Sequence, residues 1–133
     1  MCCTSRRDRM KSEKGQSMVE FALVLPVLVM LLFGIVDFGR IFHAYITIDH
    51  ASREAARVAS IGESDSKIVS TAVSSGSSIH LTSGQVSVSP GGTKTAGSDV
   101  RVTITYPVTF LTPVISSISG PITLSSSAAM RVE

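Results

Sequence analysis

The sequence predicts an α+β protein in which one long N-terminal helix, apolar in its first half and amphipathic in its second, packs on a small three-stranded antiparallel sheet. Three observations predict it. No charged residue occurs between Phe21 and Val36. Apolar residues then recur at helical spacing from Ile41 to Val58. Val100, Val102, Ile104 and Tyr106 alternate with Arg101, Thr103 and Thr105, which is the period of a strand. A chain of 133 residues holds one small domain beside a membrane element.

Residues 1–14 are polar and charged, lack apolar periodicity, and are expected to form a flexible tail. Here Arg6, Arg7, Arg9, Lys11 and Lys14 outnumber Asp8 and Glu13. The remainder of a chain with 12 basic and 10 acidic residues is therefore slightly acidic. The basic isoelectric point belongs to the tail and gives no argument for binding nucleic acid. A positive segment before an apolar helix keeps the N-terminus cytoplasmic and sends the C-terminal part across the membrane. A secretory signal peptide is the competing possibility, but Asp37-Phe38-Gly39-Arg40 offers no small-x-small cleavage site. Cys2 and Cys3 precede any apolar stretch, so they do not form a lipoprotein signal. Beyond them the chain has no cysteine for a disulfide or a thiolate metal site, and its fold is expected to rest on packing.

The long helix is expected to start near Ser17. About 20 residues at 1.5 Å each cross a bilayer core; Phe21–Val36 reaches that length with Met18, Val19, Phe38, Ile41 and Phe42 added. Apolar residues on every face predict a spanning or re-entrant helix, because a half-buried soluble helix carries only a stripe. Glu20 stands at the mouth of this run, where a charge near hydrocarbon is costly. Its carboxylate either keeps its head in water or pairs with a cation. Pro26 lacks an N–H and opposes the carbonyl of Ala22, so a local bend is expected, with Gly34 and Gly39 loosening the helix further on.

After Asp37 and Arg40, spaced to pair across three residues, the apolar positions narrow to Ile41, Ala44, Tyr45, Ile48, Ala51, Ala55 and Val58. Asp49 with Arg53 and His50 with Glu54 have pair spacing on a solvated face. From Ser17 to Ile61 the helix would run about 68 Å, with Gly62 as its stop. Ser64 or Asp65 can cap a second helix with Ile68, Val69, Ala72 and Val73 apolar, ended by Gly76. Strands are expected at 85–89, 99–106 and 122–132, with a loop from Pro90 to Ser98 and a connection from Pro107 to Gly120. Within that connection Leu111, Val114, Ile115 and Ile118 can form a short apolar helix, which Pro113 can start. A sheet this small cannot stand alone, so its apolar face should cover the stripe of the long helix.

No catalytic set is evident. His43 and His50 are seven residues apart, whereas zinc on a helix draws on ligands three or four apart plus others. His80 is isolated, no serine occupies a nucleophile-elbow motif, there is no phosphate loop, and aromatic residues are sparse. No metal and no cofactor is expected, and the chain is not expected to be an enzyme.

Lys14-Gly15, four residues, then Glu20-Phe21 and an apolar helix resembles the type IV prepilin processing signal. The fuller string GQSMVEFALVLPVLVMLLFGIVDFGR, followed by ASREAARVAS, is similar to TadE-like proteins, minor pseudopilins of the tight adherence pilus system. The similarity covers residues 15–60 and, more weakly, the last strand with its terminal MRVE. It implies a pilin-like fold divided into a leader at 1–15, a transmembrane half-helix at 16–42 and an extracytoplasmic domain at 43–133. A prepilin peptidase would cut between Gly15 and Gln16, leaving Glu20 fifth in the mature chain. Glu20 and Phe21 would then serve assembly, and Pro26 would mark either local melting or a tolerated kink. The implied partners are the peptidase, other pilins and pseudopilins, the inner-membrane assembly platform and the lipid bilayer. The implied location is the bacterial inner membrane or the pilus itself. An uncleaved single-pass protein with an outer binding domain is the alternative, and a secreted hydrolase a third.

Overall fold

The computed structural model describes the backbone of residues 5–133 and the side chains from Glu13 onward. Cys2 and Cys3 lie outside the described residues. Helix α1 is a single α-helix over Ser5–Ser60, about 84 Å at the standard rise. It begins twelve residues before the expected start at Ser17. The expectation of an unstructured tail up to Lys14 is thus corrected for Ser5 onward. Arg, Met, Lys and Glu are strong helix formers, and the roughly 1 kcal/mol cost of Gly15 is too small to break a helix already propagating. Pro26 is carried inside α1 without interrupting it.

Gly62, at φ 78°, closes the helix by donating its N–H to the Ala59 carbonyl at 3.1 Å. Helix α2 spans Asp65–Ser75. Ser64 is its N-cap through its backbone carbonyl, which accepts from Lys67 and Ile68, while its hydroxyl contacts that of Ser66. Gly76 ends α2 because its backbone lies against Leu81: a Cβ at this position would sit 2.7 Å from that side chain. Two single 3-10 turns, Ser77–Ile79 and Ser83–Gln85, lead into the sheet.

Strands β1 (Val86–Ser89), β2 (Asp99–Val108) and β3 (Ile122–Arg131) form an antiparallel sheet in the order β1-β2-β3. Strand β2 continues through Pro107, where the sequence suggested a connection. The last β1 partner is Val86 opposite Ile104, so Pro107 has a neighbour on one side only, where a missing N–H is tolerated. Between β2 and β3 the short helix α3 covers Pro113–Ser119, with Thr112 as N-cap and Pro113 in its first turn.

The core joins Ala44, Ile48, Ala51, Ala55, Ala56 and Ala59 of α1 to Ile68 and Ala72 of α2 and to Val100, Val102, Ile104 and Val108 of β2. The sheet covers one side of α1 and α2 another, so the buried arc is wider than the predicted stripe. It includes Ser52, Ala56 and Ala59, whereas Tyr45 is exposed. Small residues on α1 face Ser126 and Ala128 of β3, which allows close approach. Ser52 Oγ donates to the Asp49 carbonyl at 2.9 Å and lies 3.2 Å from Ser126 Oγ, which in turn reaches Asp49 Oδ1 at 3.2 Å. Asp49 also accepts from Arg53 Nε at 3.1 Å. His50 and Glu54 form no comparable pair among the described residues.

The strands run along α1, which gives the domain two ends. At one end Arg40 donates to the carbonyl of Thr109 at 3.3 Å. At the other, Glu133 N–H donates to Ser60 at 2.9 Å, and Gly97 and Val132 join the loop before β2 to the C-terminus. Lys94 of that loop, with a buried side chain, is paired with Asp65 of α2, which also accepts from Gly92 N–H at 2.7 Å.

Candidate assembly helix and its collar

Residues 13–36 of α1 project beyond the packed domain and are exposed, Gly34 alone being half covered. The helix is long and apolar enough to cross a membrane, and none of its apolar window is buried in the fold. A soluble core helix would bury such a window. An apolar surface of this size calls for lipid or other apolar helices.

The residues singled out for processing and assembly all lie on this projecting half. Gly15 is helical and a Cβ added to it would meet nothing within 4 Å, so the fold itself has no need of glycine there. Gln16 and Glu20 are four residues apart and share a helix face. Glu20 is exposed and has no ion-pair partner among the described residues. Phe21 is exposed beside it, and Pro26 lies one to two turns on.

Asp37 is the group that the sequence underrated. Its carboxylate is buried where the apolar run meets the domain. The backbone N–H groups of Leu111 and Thr112 donate to it at 2.8 and 2.9 Å, and the Thr112 hydroxyl donates at 2.6 Å. Arg40, the expected partner, stands farther off at 3.7 Å. A carboxylate accepting three hydrogen bonds tolerates burial that a bare one would not. The available signal was an acid closing a long uncharged run, which had to find a partner.

A cavity of about 210 Å³ is lined by Arg40, Ala44, Ser78, Ile79, His80, Tyr106 and Val108. The Tyr106 hydroxyl there donates to the Ile79 carbonyl at 2.8 Å. Among the described residues no three His, Cys, Asp or Glu side chains gather to hold a metal ion.

Compared with known proteins, residues 15–57 match the family model described as TadE-like protein. The matched segment is the projecting half of α1 and most of its packed half, and it contains none of the sheet. No curated protein and no solved structure matches the chain.

Proposed function

We propose that this chain, TadE-like over residues 15–57, is a minor pseudopilin that takes part in assembling a tight adherence pilus used in adhesion, surface colonisation or secretion. A prepilin peptidase cuts between Gly15 and Gln16. The chain sits in the bacterial inner membrane with its N-terminus cytoplasmic and residues 43–133 outside. It is a peptidase substrate and not a catalyst, and its partners are the assembly platform and other pilins and pseudopilins.

One observation carries this reading: an exposed apolar helix opens on an acid with no ion-pair partner among the described residues, five residues after a glycine that the fold does not require. Once Gln16 carries a free amine, Glu20 gains a cation to meet, supplied by a neighbouring subunit. That pairing strengthens as water is excluded, and an acid left without it is strongly disfavoured. Residues Phe21 to Phe42 then exchange lipid for neighbouring helices.

The unbroken course of α1 from Ser5 through Gly15 favours a second possibility, a single-pass protein that keeps its first 15 residues and uses the outer domain to bind a partner. The intact mass of the membrane-extracted chain decides. A mature N-terminus at Gln16 is expected; a chain retaining residues 1–15 in functioning appendages would overturn the proposal.

A further inference from the structure

Helix α3 has no role in the core. Val114, Ile115 and Ile118 share one apolar face of it, and Leu111, expected within the helix, lies just ahead of its N-cap. Ile118 is 80% exposed, Leu111 53% and Val114 48%. The Ser116 and Ser117 hydroxyls donate back to the Pro113 carbonyl, at 3.0 and 2.8 Å, so these two serines carry internal hydrogen bonds. From Val102 to Met130 there is no charged residue.

The position of α3 specifies what covers that face. Asp37 holds Leu111 and Thr112, so α3 is fixed to α1 at the end of the apolar run. From Met18 to Asp37 the helix rises about 29 Å, close to the thickness of a bilayer's hydrocarbon core. Arg40, the next charge and nearly half exposed, therefore falls at headgroup level, and α3 falls beside the boundary between hydrocarbon and headgroups. Phe38 and Phe42 of α1 are exposed at the same level and add apolar surface there.

The geometry points to α3 as a second membrane contact: its apolar face lies in the outer interface of the bilayer that α1 crosses, forming a collar around the exit of the helix. This rests on the membrane-spanning part of the proposed function and not on processing or on the pilus. Amphipathic helices bind such interfaces by burying their apolar face several ångströms below the headgroups and leaving the polar one, here the side of Ser116 and Ser117, towards water. The inferred ligand is lipid.

The chain has no tryptophan, so single substitutions give unambiguous probes. The full chain carrying Ile118→Trp, Leu28→Trp or Thr93→Trp is reconstituted in phosphatidylcholine and phosphatidylglycerol vesicles containing lipids brominated at shallow or deep positions. Leu28 is at mid-span, and Thr93 lies in the loop at the far end of the domain. Ile118 is so exposed that its substitution leaves the fold intact. The expected result is that Ile118→Trp loses emission chiefly to shallow bromines, Leu28→Trp chiefly to deep ones, and Thr93→Trp to neither. Quenching of Leu28→Trp without quenching of Ile118→Trp overturns the collar and leaves the span standing. Absence of quenching in both overturns the span and the collar together. A blue shift of Ile118→Trp that grows with protein density but not with bromine shows that a second copy covers α3, which also overturns the proposal.

Discussion

Asp37 and Thr112, 75 residues apart in the chain, are joined twice: the Thr112 N–H and hydroxyl both donate to Asp37 Oδ2, at 2.9 and 2.6 Å. This link fixes the position of α3 relative to the apolar helix. Replacing Asp37 by alanine leaves the Leu111 and Thr112 donors without their acceptor, and hydrogen bonds to charged groups are worth about 1.5–3 kcal/mol. Asp37→Ala should lower the unfolding free energy by about that much and speed hydrogen exchange at Leu111 and Thr112. Asp37→Asn, which retains one carbonyl acceptor, should lose less. Unchanged exchange at both amides in the alanine variant would show that the link does not hold the loop.

At Gly15 the space around the helix is empty, so a side chain there leaves the fold undisturbed and tests the proposed processing alone. Gly15→Val should fold with the stability of the parent and accumulate as precursor. Immunoblotting for chain length, with the intact mass as confirmation, checks this, and normal maturation of the variant would contradict a role in processing.

On the proposed reading Glu20 acts only once the chain has been cut. Glu20→Ala should be processed at the parental rate, remain in the membrane, and fail to enter assemblies, because the amine at Gln16 then lacks its counter-charge. Sheared pilus fractions probed for this chain supply the readout, and undiminished incorporation would remove the role assigned to the carboxylate.

The Lys94 ammonium, and after it the Gly92 N–H, hold the Asp65 carboxyl below its ordinary value of 3.8. A carboxylate whose pKa is depressed by folding contributes its full stabilisation above the unfolded pKa and loses it as pH falls through the folded one. The parent should therefore lose stability as the pH drops below about 4. The gap between the parent and Asp65→Asn should close over the same interval in urea unfolding. A gap independent of pH would mean that the ion pair contributes nothing that titrates.

Much of this was legible because it rests on local periodicity. The uncharged run Phe21–Val36, the alternation of β2, the Pro113 start of α3 and the glycine stops at Gly62 and Gly76 are all patterns within a few residues. The hidden parts depend on contacts distant in sequence. Nothing near Asp37 indicates that amides more than seventy residues later will enclose it. Burial of Ser52, Ala56 and Ala59 follows from α2 covering a second side of α1, which single-helix periodicity cannot reveal. Extension of β2 through Pro107 depended on β1 beginning only at Val86, opposite Ile104. For the residues proposed to act in processing and assembly, the sequence is also the better guide, since Gly15 and Glu20 stand clear of the fold and their chemistry requires a second molecule.

Helix α1 passes from its projecting half into the packed domain with no joint between them. A torque or axial pull applied to the projecting stem is delivered to the head as to a rod's far end, with Pro26, Gly34 and Gly39 offering compliance along the way. The strands lie along that rod, so the head's bearing in space is set by whatever grips the stem.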